Sequence, residues 1–69
     1  MNIILNNTAN NVPNNITIEG LLLLNNIKSK YIAVEINKKI IPKSKYRECQ
    51  LSEGDRVTVD HFAEKKEHS

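Results

Sequence analysis

One stretch constrains the fold more than any other: Tyr31 to Val59, YIAVEINKKIIPKSKYRECQLSEGDRVTV. Ile32, Val34 and Ile36 alternate with Ala33 and Glu35, the period-two pattern that sets one strand face on a core and the other towards water. Asn37-Lys38-Lys39 interrupts the pattern before a second short apolar run, Ile40-Ile41, which stops at Pro42. Asparagine tolerates the left-handed backbone that a tight reversal needs, so the two runs read as a hairpin. Pro42 has no amide hydrogen to give a ladder and marks the end of the second run. After a polar crossing, Leu51-Ser52-Glu53-Gly54-Asp55 reads as a turn whose glycine takes positive φ. Arg56-Val57-Thr58-Val59 then restores the alternation with β-branched residues suited to a half-buried strand.

The residues before this stretch supply a second hairpin and a helix. Asn2 to Asn6 reads as a first strand ending in an Asn6-Asn7 turn, and Thr8 to Val12 as a second strand. Pro13-Asn14-Asn15 breaks the pattern. Thr17 is a good N-cap, and Glu19 puts negative charge in the first turn, where the helix dipole favours it. A helix of two to three turns follows to about Asn26, with Ile18, Leu21 and Leu22 on one stripe. Gly20 costs it about 1 kcal/mol relative to alanine, so packing must hold it in place. Four successive leucines, Leu21 to Leu24, exceed what one stripe can bury. Leu21 and Leu22 are expected to face the sheet, with Leu23 or Leu24 partly exposed as edge packing or as a partner-binding patch. Lys28-Ser29-Lys30 reads as a loop, Lys43 to Tyr46 as a short helical turn, and Tyr46 as a lid on the core.

A hairpin, a helix, two more strands, a crossing and a final strand describe an α+β sheet with one helix across a single face. The expected core is Ile3, Leu5, Ile18, Leu22, Ile32, Val34, Ile36, Val57 and Val59. The patterns do not fix the strand order.

Composition excludes several functions. The 69 residues make one small domain, of a size that buries only about 60% of the surface its unfolded chain exposes. Ten basic and eight acidic residues balance to a net charge of +2, and no basic block is interleaved with aromatics, so no nucleic-acid partner is expected. The abundant asparagine and lysine read as compositional bias. The single Cys49 cannot form an internal disulfide, which fits a reducing cytoplasm. The longest apolar run, Leu21 to Leu24, falls far short of the ~20 residues that span a bilayer, so no membrane partner is expected either. His61 and His68, seven apart, and the distant Cys49 lack the paired spacings of a zinc site. Cys49 has Arg47 and Glu48 equally near and no adjacent histidine, which favours a structural thiol over a nucleophile. The only glycines are Gly20 and Gly54, so there is no phosphate-binding loop. The expectation is a cytoplasmic, monomeric protein that is not an enzyme, with no catalytic, cofactor-binding or metal-binding residues and no cofactor.

Taken in order, Ile36-Asn37, Ile40-Ile41-Pro42, Tyr46 and Leu51-x-x-Gly54-Asp55-x-Val57-x-Val59 resemble the sulfur carrier protein of thiamin biosynthesis (ThiS-like) over roughly residues 1 to 63. The resemblance implies a ubiquitin-like β-grasp fold, a mixed four- to five-stranded sheet whose first and last strands lie parallel at its centre. It also implies two partners, a thiamin-pathway adenylyltransferase (ThiF-like) and a thiazole synthase (ThiG-like), met chiefly through the sheet face and the tail. Such carriers end in Gly-Gly, because only a tail without side chains enters a narrow active site to be adenylated and converted to a thiocarboxylate.

Counted from the Gly54-Asp55 turn, the diglycine of that family falls near Glu64-Lys65. Here the residues run Glu64-Lys65-Lys66-Glu67-His68-Ser69, without glycine. Residues 1–63 therefore read as the ThiS-like domain and 64–69 as a flexible charged tail. Three readings of that end stay open. The chain is a relative that docks on partners and carries no sulfur, or it is a non-conjugating interaction domain, such as the amino-terminal part of an adenylyltransferase-type protein, or its tail is altered in a way the sequence does not show.

Overall fold

The computed structural model describes residues 1–61; residues 62–69, with the expected tail, lie outside the described residues. Six elements follow in order: β1 (Asn2–Leu5), β2 (Thr8–Asn11), α1 (Ile18–Leu24), β3 (Ile32–Ile36), β4 (Lys39–Ile41) and β5 (Arg56–His61), with single 3-10 turns at Ser29–Tyr31 and Lys43–Lys45. The strands form one mixed sheet in the order β2-β1-β5-β3-β4. β1 and β5 run parallel, with Leu5 opposite Val57, and the other three pairings are antiparallel. The expected central pair is present, and the strand count is five.

Asparagine makes the reversals possible. Of ten asparagines, Asn6, Asn7, Asn15, Asn26 and Asn37 have φ between 50° and 68°, a region most side chains avoid. Their abundance is therefore conformational at these positions, which corrects the reading as bias. Asn6 also extends β1 beyond its last residue, because its Oδ1 accepts the Val59 amide at 2.8 Å. Asn37 ties the β3–β4 hairpin to the turn before β5: its Nδ2 donates to Asp55 Oδ1 at 3.2 Å, and its Oδ1 accepts the Arg56 amide at 3.0 Å. Asp55 Oδ2 accepts the Ser52 amide at 2.8 Å, and Gly54 takes φ +82°, so the Gly-Asp turn is held from both sides.

The helix is capped at both ends. Thr17 Oγ1 accepts the Gly20 amide at 3.0 Å, while the Ile18 and Glu19 amides donate to the carbonyls of Cys49 and Tyr46, each at 3.0 Å. These bonds satisfy amides that a helix start leaves without partners. The helix stops at Leu24 rather than near Asn26, and the cause is a Schellman ending. Asn26 turns left-handed at φ 57°, its amide reaches the Leu23 carbonyl at 3.1 Å, and the Ile27 amide reaches Leu22 at 2.8 Å.

The core lies between α1 and one face of the sheet. Ile3, Leu5, Ile18, Leu22, Val34, Val57 and Val59 are buried as expected, joined by Val12, Leu21, Tyr46 and Leu51. Ile32 and Ile36 are half-buried at the two ends of β3 and pack against the core without closing it, which corrects their placement inside. Gly20 gives Ile16 room, since a Cβ there would meet Ile16 Cγ1 at 3.0 Å.

Candidate functional site

Strand alternation and the register assign the two faces of the sheet. Ile3, Leu5, Val34, Val57 and Val59 point towards the helix, so Ile4, Ala33, Glu35, Ile40, Arg56 and Thr58 belong to the opposite face. That face runs from Ile4 across Arg56 and Thr58 to Glu35 and Ile40. Ile40 is 69% exposed, although it is a large aliphatic side chain. The arrangement is a mixed platform of apolar and charged groups, a composition found at protein–protein contacts. β5 occupies the middle of the sheet, and His61 is its last residue.

Two open clefts flank β3. The first, of about 450 Å³, lies at the end where β5 finishes and is bounded by Ile27, Lys28, Lys30, Tyr31, Ile32 and His61. The second, of about 300 Å³, lies at the hairpin end and includes Ile36, Lys39, Ile41, Cys49, Gln50 and Asp55. Cys49 is half-buried in its wall. Its backbone does structural work: the amide donates to the Lys45 carbonyl at 2.9 Å, and its carbonyl receives the helix start.

The remaining candidates separate clearly. Tyr46 is buried and closes the core, and burial raises its phenol above its ordinary pKa, partly offset by a hydrogen bond with the Val34 backbone. His61 is exposed at the end of β5, opposite Ile32, and His68 lies outside the described residues. Among the described residues no three His, Cys, Asp or Glu side chains converge to hold a metal ion, and no helix is long and apolar enough to cross a membrane. Leu23 and Leu24 are 71% and 57% exposed on the outer side of α1, so both, not one, escape burial. Glu64 and Lys65 lie outside the described residues. The cleft at the β5 end went unread in the sequence, where Lys28-Ser29-Lys30 passed for a plain loop. Its signal was an aromatic, Tyr31, directly after two lysines.

Comparison with known proteins fits this geometry. The model of the ThiS family matches residues 3–59. The chain is 39% identical over 46 residues to the sulfur carrier protein ThiS of Bacillus subtilis, covering 67% of this chain and 70% of that protein. It is 32% identical over 62 residues to a thiazole synthase of Paramagnetospirillum magneticum and 36% identical over 62 residues to one of Magnetococcus marinus. In both, 90% of this chain aligns with only 19% of the relative, so the chain spans about a fifth of their length. The crystal structure of the thiamine biosynthesis protein ThiS from Geobacter metallireducens superimposes with a TM-score of 0.84 at 21% identity, covering 93% of this chain and 97% of that one. That likeness concerns the fold. With strand order, family match and relatives in agreement, the chain belongs to the ThiS family, the sulfur carrier family of thiamin biosynthesis, and has its ubiquitin-like β-grasp fold.

Proposed function

We propose that this chain is a docking module of thiazole formation: it binds a thiamin-pathway adenylyltransferase and a thiazole synthase in the cytoplasm and performs no catalysis itself. The observation that carries the reading is the open sheet face around Ile4, Thr58, Glu35 and Ile40, crossed by a central β5 that leads straight to the residues following His61. A partner gripping that face receives whatever follows β5 at a fixed place. Residues 1–63 form the docking domain. Glu64 and Lys65, where family carriers have glycine, are too bulky and charged for a narrow adenylation channel. On this reading the scaffold docks while positions 64–65 do not accept the adenylyl group.

A second reading, an interaction domain within a larger enzyme, is favoured by one observation. Two relatives named thiazole synthase contain a segment similar to this chain that makes up 19% of their length. Titration calorimetry against a thiazole synthase and a thiamin-pathway adenylyltransferase tests the docking reading. Saturable binding is expected, weakened at least tenfold by Thr58→Arg at the centre of the open face. A folded chain that binds neither enzyme contradicts it.

A further inference from the structure

We propose that the cleft at the end of β5 is a docking site for an acidic protein segment carrying one large apolar side chain. Among the described residues no carboxylate lines it, and its wall carries two lysines, Lys28 and Lys30, together with His61. The cleft at the other end of β3 differs, since both a lysine, Lys39, and a carboxylate, Asp55, line it. Among the described residues the ion pairs are Lys45–Glu48 and Arg47–Glu19, and neither Lys28 nor Lys30 takes part in one. An occupant that brings carboxylates meets two lysines, Lys28 and Lys30, that line one cleft.

The floor specifies the rest of the occupant. Ile27 and Ile32 are half-buried and pack against the core, so they present aliphatic surface that stays in place. Tyr31 is 37% exposed, and Lys30 Nζ lies 5.8 Å from its ring centroid, which holds the amine beside the aromatic face. A volume of about 450 Å³ takes a leucine-sized side chain and part of the backbone on either side of it. A single aromatic with aliphatic neighbours is a poor stacking surface for bases, which favours a protein segment over a nucleic acid. His61 is both the last residue of β5 and part of the wall. A segment seated here therefore lies beside the last residue of β5, on the helix side of the sheet. The inference does not depend on which enzyme the open sheet face binds.

The test is amide-shift mapping on the full chain with the acetylated peptide Glu-Glu-Leu-Glu-Glu as probe. Expected are saturable shifts confined to residues 26–32 and 60–61, weaker in higher salt, because screening acts on exposed charges. Lys28→Glu together with Lys30→Glu should weaken binding at least tenfold, while Lys38→Glu with Lys39→Glu at the far hairpin should leave it within twofold. The same spectra show whether each variant is folded. Shifts spread evenly over all lysines, or none at millimolar peptide, overturn the proposal. So does equal binding of a peptide with serine in place of leucine, or tighter binding of a single-stranded oligonucleotide at the same amides.

Discussion

Lys38 occupies the second central position of the two-residue turn between β3 and β4, with φ +72° beside Asn37 at +52°. Both positive angles define the turn whose twist matches a right-handed hairpin, and glycine is the residue it prefers at that second position. Holding a side chain left-handed costs about 1–2 kcal/mol. Glycine removes that cost but adds about 0.5–1 kcal/mol of unfolded-state entropy. Lys38 is exposed and makes no ion pair among the described residues, so nothing else is lost. Lys38→Gly should therefore stabilise the domain by about 0.5–1 kcal/mol. For a domain of this size that raises Tm by roughly 2–8 °C. Lys38→Ala keeps the left-handed cost and should stay within about 0.5 kcal/mol of the parent. Urea and thermal unfolding, followed by circular dichroism, give both values. A Lys38→Gly variant no more stable than Lys38→Ala would refute the argument that the turn stores backbone strain.

Gly54 has φ +82° with nothing within 4 Å of a would-be Cβ, so by the same two opposing terms Gly54→Ala should lower stability by about 0.5–1 kcal/mol through backbone conformation alone, read from the urea midpoint. Leu21 is completely buried beneath the sheet, and Leu21→Ala should cost about 2–5 kcal/mol in the same assay. The raised phenol pKa of Tyr46 gives a signed pH effect: its contribution is fully present below the unfolded tyrosine value of about 10 and is lost as pH rises through the folded value. Stability measured between pH 8 and 11 should fall in the parent and fall less in Tyr46→Phe.

Much of this fold is legible from local chemistry. The alternation of Ile32 to Ile36 and of Arg56 to Val59, the Thr17 cap and the stop at Pro42 each follow from a property of one or two residues. What escaped has a physical reason too. Helix length was misjudged because Asn26 fits a helix pattern as readily as a left-handed stop, and only its bonds to Leu23 and Ile27's bond to Leu22 decide between them. Ile32 and Ile36 carry the right period but stand at the ends of β3, where they stay half-buried, and period does not report position along a strand. Val12 ends the expected second strand and Leu51 opens the expected turn, positions that alternation alone does not assign to the core, yet both are buried there. The sheet face proposed for docking was the least visible part. Ile40, Glu35, Thr58 and Ile4 come from three separate stretches, and the strand order that unites them came from the family resemblance, not from the alternation. The basic cleft is likewise built from both ends of the described chain's second half, Lys28 to Ile32 with His61, which no single window contains.

The central claim is that the ThiS scaffold is intact while positions 64–65 block carrier chemistry. Restoring the family's diglycine tests it most directly. A variant with Glu64→Gly and Lys65→Gly, ending at the second glycine, is incubated with a thiamin-pathway adenylyltransferase and ATP, and pyrophosphate release is followed beside the unaltered chain. The account predicts release with the variant, thiocarboxylate mass once sulfur is supplied, and neither with the unaltered chain. Release with the unaltered chain, or silence from a folded variant that still binds the adenylyltransferase, would contradict it.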